Sequence, residues 1–205
     1  MIIDLSRRVE EGMPVYPGDT QTVLAQTSSV PQDGYTNHLL TINMHAGTHI
    51  DGPMHLLDCN VYLDEFPIES FIGDGCLLDA TGQPDVDYDE RYETLIPEGS
   101  IVVVHTGHGE FYGQSDYFTQ YPSLTEAFAE LLIRKRVKMV VLDTPSPDYS
   151  PFAIHKLLFR NRVLIAENAV NTERLLGAGA FEVTALPLHI RADSSPARIV
   201  ARLKS

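Results

Sequence analysis

The chain has 205 residues, of which 43% are apolar and 21% charged; 28 Asp and Glu against 15 Lys and Arg leave a formal charge of −13. This size and composition fit one ordinary globular domain, spanning 1–205, and exclude a disordered chain. The sign of the charge disfavours nucleic-acid and membrane-surface partners, which are held through clustered cations.

The opening Met1-Ile2-Ile3-Asp4-Leu5 predicts a short strand, and its early acid and lack of an apolar run argue against a signal peptide. A turn follows through Pro14 and Pro17-Gly18-Asp19. Residues 36–44 are β-rich and partly alternating, as in a strand. Cys76–Leu78 and Ile101–Val104 are short apolar runs bounded by Gly, Asp and Pro, the pattern of strands buried in a sheet. Ser123-Leu-Thr-Glu126 has the form of a capping box, with Phe128, Leu131 and Leu132 at helical spacing behind it. Met139–Leu142 predicts a strand, Phe152–Phe159 a helix and Val163–Ala166 a strand. Thr172–Leu176 is a short helical stretch stopped by Gly177, and Phe181–Leu186 and Ile199–Leu203 close as strands. Interleaved strands and helices make the fold α/β or α+β. Cys59 and Cys76 stand apart without a paired motif, so a reducing, cytoplasmic setting is expected. No apolar run approaches the ~20 residues that span a bilayer.

The chemistry is concentrated in His45-Ala-Gly-Thr-His49-Ile-Asp51-Gly-Pro-Met-His55. The odd-numbered positions 45, 49, 51 and 55 would share one side of an extended chain, whereas Gly47, Gly52 and Pro53 oppose a helix. The segment therefore reads as a strand running into a glycine-supported loop that turns imidazoles and a carboxylate toward one point. Nitrogen and oxygen donors together suit Zn²⁺ or Mn²⁺. Composition leaves open which of these side chains bind an ion. His105 and His108 read as solvated loop histidines, and His38 and His189 as structural. Asp143, closing the Met139–Leu142 strand, is a candidate acceptor for a ligand histidine. Ser146 lacks the G-x-S-x-G surroundings of a serine nucleophile.

His45, Gly47, Thr48, His49, Asp51, Pro53 and His55 together resemble the H-x-G-T-H-x-D-x-P-x-H signature of the metal-dependent cyclase family, which includes bacterial kynurenine formamidases and isatin hydrolases. The opening IIDLS and MPVYPGD, the DTPSPD stretch and the ending ALPLHIRADSSPARIVA extend the resemblance along most of the chain. It implies one α/β domain with a mixed β-sheet or barrel-like core flanked by helices, and a homo-oligomer, most simply a dimer. It also implies two divalent ions, Zn²⁺ before Mn²⁺. His45, His49 and Asp51 would hold the first, His155 the second, and Glu167 would be shared; His55 would stay free as the proton shuttle. The implied activity is hydrolysis of a small amide by metal-activated hydroxide, with an aryl formamide such as N-formylkynurenine as substrate and kynurenine and formate as products. An isatin-like lactam or another carbonyl compound would use the same centre. A non-catalytic metal-binding protein would have no need of an unligated His55. Tyr16 replaces the family's usual Trp in the P-V-W-P-G-D turn and would stack on the substrate ring. Ala46 and Gly52 are smaller than the Thr and Ala typical of formamidases, which would widen the site.

Overall fold

The short apolar runs pair into a closed sheet in the computed structural model, which describes residues 1–204. In chain order the strands are β1 (Ile2–Asp4), β2 (Val23–Ser28), β3 (Asn37–Thr41), β4 (His49–Asp51), β5 (Ile72–Asp79) and β6 (Asp85–Val86). They continue as β7 (Ile101–His105), β8 (Ser123–Leu124), β9 (Met139–Leu142), β10 (Leu164–Glu167), β11 (Phe181–Pro187) and β12 (Ser194–Leu203). Helices α1 (Val30–Asp33) and α2 (Tyr92–Leu95) are single turns, and α3 (Glu126–Arg134) and α4 (Ala153–Arg160) are longer. Strands β12, β11, β5, β7, β9, β10 and β4 follow one another around a seven-stranded barrel that closes where β4 meets β12. Neighbours among β5, β7, β9 and β10 are parallel. The other barrel pairs are antiparallel, and β1 lengthens the wall along the far half of β12.

The unbroken apolar runs Ile101-Val-Val-Val104 and Met139-Val-Val-Leu142 exist because both faces of these strands are covered. Ile101, Val103, Met139 and Val141 join Ile3, Ile50, Phe181 and Ile199 inside the barrel. Val102, Val104, Val140, Leu142 and Ile165 point outward, beneath Phe128, Leu131 and Leu132 of α3 and Leu158 and Phe159 of α4. No helix among the described residues is long and apolar enough to cross a membrane.

The expected strands are present, several with different bounds. The run at Cys76–Leu78 is the end of an eight-residue strand, and Ile199–Leu203 the end of a ten-residue one. Gly73, Asp74 and Gly75, and likewise Ser194-Ser195-Pro196, carry little strand propensity and enter the sheet because their neighbours supply the pairing. The 36–44 stretch narrows to β3, whose hairpin with β2 was not visible in the sequence. The capping box does not form. Ser123 and Leu124 pair with Asp85 and Val86, Ser123 Oγ donates to Asp85 Oδ1 at 2.6 Å, and Thr125 caps α3 by accepting from Phe128 N at 3.2 Å.

Candidate metal centre

Strand β4 lies between β10 and β12, with His49 opposite Glu167 and Asp51 opposite both Ile165 and Ser194. Ile50 faces the barrel interior, so the pleat sends His49 and Asp51 to the outer face. Glu167 shares that face, because Ile165, two residues earlier, packs with the outer core beneath α4. Helix α4 supplies His155, which is buried there. His45 comes from the turn before β4, and His55 ends the 3-10 turn Pro53–His55 after it. Strand alternation thus accounts for His49 and Asp51, and loop geometry for His45 and His55. Gly47 makes the first loop workable: its φ is +65°, and a Cβ there would lie 2.6 Å from Met13 Cε.

The five expected ligands converge. His45 Nδ1 lies 2.9 Å from Asp51 Oδ1, and His49 Nε2 lies 3.3 Å from both Asp51 Oδ1 and Glu167 Oε2. Glu167 turns its other oxygen, Oε1, to His155 Nε2 at 3.2 Å. Two of the imidazoles are oriented from behind. His49 Nδ1 donates to Gly47 O at 2.8 Å, and His155 Nδ1 donates to Asp148 Oδ1 at 2.5 Å. Each arrangement leaves Nε2 as the nitrogen facing the cluster. The signature's Thr48 serves the frame, with Oγ1 donating to Asn168 O at 2.8 Å and accepting from Arg7 N at 2.9 Å. Asn168 Nδ2 in turn donates to Gly47 O at 3.1 Å, bracing the carbonyl that orients His49.

The donor set fits divalent cations. His49 Nε2 and both carboxylate oxygens of Asp51 are buried without a hydrogen-bond partner, a costly arrangement for a charged group unless an ion compensates it. The electrostatics agree. Burial works against an imidazolium at His45 and His155, yet Asp51 and Asp193 beside the first, and Asp148 and Glu167 beside the second, outweigh it and raise both to about 9. His49 is raised against its own burial by Asp51 and Glu167. Burial would lift Asp51, but His49 and His45 hold it well below the carboxylate range. A site that retains protons so strongly has a field that also attracts metal ions. His55 is itself a member of two ligand-capable groupings, one with His45 and Asp193 and one with Asp51 and His155, so its ring nitrogens lie within reach of the expected ligands.

Beside the cluster is a cavity of about 180 Å³ walled by Tyr16, Phe118, Phe152, Leu56 and Pro145, with Asp19, Ser146 and Asn168 as polar members. Tyr16 stands edge-on to Phe118, ring centroids 5.7 Å apart. The floor is formed by His45, His49, His55, His155 and Glu167. Ala46 and Gly52 do not line this cavity, so their small size does not widen it; a Cβ on Gly52 would instead meet Asp193 O at 2.9 Å.

Asp143 reaches no histidine of the centre; it accepts from Thr106 N, Thr106 Oγ1 and Gly107 N and ties down the loop after β7. His105 and His108 are buried rather than solvated, bonded to Thr172 Oγ1 and Tyr117 O. The carboxylates that do contact centre histidines, Asp148 beside His155 and Asp193 beside His45, carry no signal of their own in the sequence. Both lie in stretches quoted for the resemblance, DTPSPD and RADSSP, yet neither has a spacing to His155 or His45 that marks a partnership.

Residues 3–149 match the Cyclase family model. The chain is 27% identical over 206 residues to the kynurenine formamidase of Bacillus cereus, covering 98% of this chain and 96% of that protein. It is 28% identical to the kynurenine formamidase of Bacillus cytotoxicus, with the same shares covered. Among solved structures, an isatin hydrolase bound to the product analogue thioisatinate superposes with a TM-score of 0.88 at 20% identity, over 100% of this chain and 92% of that one. Isatin hydrolase A from Labrenzia aggregata gives 0.86 at 22% identity, over 100% and 94%.

Proposed function

The chain belongs to the Cyclase family, and from that premise we propose that it is a metal-dependent hydrolase of small aryl amides, with an aryl formamide such as N-formylkynurenine as first substrate and an isatin-like lactam as second. The observation that carries this reading is Glu167 between two oriented imidazoles, Oε2 toward His49 and Oε1 toward His155, beside the partnerless oxygens of Asp51. His45, His49 and Asp51 would hold one ion and His155 the other, with Glu167 shared between them and Asp51 reaching toward the second. Two Zn²⁺ are the expected pair, and Mn²⁺ suits the same donors. Bound there, divalent ions polarise a carbonyl and bring the pKa of a water molecule toward ~7.

The remaining work falls to the chain's own side chains. Tyr16, partly exposed at the rim, offers its flat face to the substrate ring, and Phe118 and Phe152 close the apolar wall around it. Thus seated, the amide carbon faces the imidazole floor. His55 borders the same cavity, accepts the proton of the attacking water and delivers it to the leaving nitrogen. An imidazole can do both near neutral pH.

One domain spanning 1–205 and a homodimer complete the proposal. The β2–β3 hairpin leaves Val23, Leu39 and Leu40 exposed, and two strands alone are marginally stable, so a second copy is the natural cover. Two free cysteines fit a cytoplasmic setting. The test is the metal content of the purified protein, followed by hydrolysis of N-formylkynurenine with and without chelator. About two ions per chain and chelator-sensitive turnover are expected. Bound metal without formamide turnover moves the assignment to the lactam, and a chain that takes up no metal after supplementation overturns it.

A further inference from the structure

Asp193 is anchored on both sides. Its carbonyl accepts from Gly52 N at 2.9 Å, close enough that a Cβ on Gly52 would collide with it, and the next residue opens β12 opposite Asp51. From this anchor Oδ2 lies 2.9 Å from His45 Nε2 and 3.6 Å from His55 Nδ1. The two imidazoles are neighbours, with ring centroids 4.2 Å apart and planes tilted by 40°. One carboxylate oxygen therefore faces the outer nitrogen of an expected ligand and the near nitrogen of the expected proton carrier.

We propose that Asp193 is a positioning residue that sets His45 and His55 as a pair; the inference rests on the metal-centre reading above. A carboxylate can only accept from an imidazole N–H, and in doing so it selects which nitrogen keeps a lone pair. With Nε2–H of His45 donating to Asp193, the lone pair of Nδ1 is directed into the cluster, where Asp51 Oδ1 lies 2.9 Å away. The 3.6 Å approach to His55 exceeds hydrogen-bond length and acts through charge, favouring a proton on Nδ1 and leaving Nε2 as the nitrogen that exchanges protons. Ser194 Oγ also lies 2.9 Å from His45 Nε2, but a neutral hydroxyl carries no charge to act on His55, whereas the Asp193 carboxylate faces both imidazoles.

The experiment compares the full-length protein with Asp193→Asn, Asp193→Ala and Asp193→Glu. Zinc affinity is measured by competition with a chromophoric chelator, kcat and KM on the aryl formamide, and the thermal midpoint on zinc-free protein. The Asn and Ala variants are expected to bind zinc about 10–100-fold more weakly, the usual cost of losing the group that orients a ligand histidine. Their kcat should fall by a similar factor with KM within about threefold, because the substrate wall is untouched. Asp193→Glu, which keeps the acceptor, should recover part of both losses. Zinc affinity and kcat within about twofold of the parent in both the Asn and Ala variants would overturn the proposal. So would a fall in zinc-free thermal midpoint large enough to account for the lost zinc, since that is the behaviour of a structural support. A parent that binds zinc but hydrolyses no amide would sink the hydrolase reading, and zinc affinity alone would then decide the role of Asp193.

Discussion

Protons and metal ions compete for the same cluster, so the stability of this protein should depend on pH in opposite directions with and without zinc. In zinc-free protein His45 and His155 are raised from 6.5 to about 9 by the carboxylates around them. A group raised on folding contributes its full stabilisation below its unfolded value and loses it as the pH rises through the folded one. At 1.36 kcal/mol per pKa unit, each imidazolium is worth about 3 kcal/mol below pH 6.5. Both side chains are largely shielded from solvent, at 20% and 3% exposure, so screening removes little of this. His49 faces both Asp51 and Glu167 and so couples the two contributions, and about 3–6 kcal/mol should disappear between pH 6.5 and about pH 9.5, out of the roughly 5–15 kcal/mol that holds a domain together. The assay is urea unfolding of chelator-treated protein across that range, followed by circular dichroism because the chain has no Trp. Zinc should reverse the slope, since ligation needs deprotonated imidazoles and strengthens as protons leave. Zinc-free stability that is flat or rising over this interval would refute the reasoning, as would an equal fall in a His45→Asn, His155→Asn double variant.

His55→Ala should keep its zinc and lose about 10²–10⁴-fold in turnover, measured as kcat at saturating metal; an undiminished kcat would remove the proton-carrier role. Tyr16→Ala should raise KM for an aryl substrate about 3–10-fold with a smaller change in kcat, the effect of one lost aromatic contact. Phe159→Ala, on the buried face of α4 in the outer core, should cost about 3–5 kcal/mol in urea unfolding, and its metal-bound form should lose zinc at lower denaturant than the parent. Gly52→Ala should destabilise by about 1–3 kcal/mol, since its methyl group meets Asp193 O, and should weaken zinc binding by moving that carboxylate.

Much of the centre was legible because the chemistry of β4 is local. His45, Gly47, His49, Asp51 and His55 lie within one short stretch, and residue type with spacing was enough to mark a nitrogen-and-oxygen donor set. His155 and Glu167 carried no such mark of their own and were reached only through family resemblance. The apolar runs at 101–104 and 139–142 announced buried strands, because covering both faces removes any need for polar alternation. Against this, Ser123 shows how a local motif yields to a partner. Its capping-box spacing is intact, but Asp85 accepts its hydroxyl and β6 takes its backbone, so the helix starts at the next suitable oxygen, Thr125.

By itself the sequence determined the α/β class, most of the strands and the donor chemistry, all of which follow from neighbours along the chain. Only the tertiary structure decided that the sheet closes, through a pairing between β4 and β12 that lie some 140 positions apart. That closure places Glu167 opposite His49 and Asp193 beside His45, and the packing of α4 on β10 turns His155 and Asp148 toward them. No periodicity in the chain encodes those contacts, because each depends on two distant segments finding one register, and register is set by the whole barrel rather than by any stretch of it.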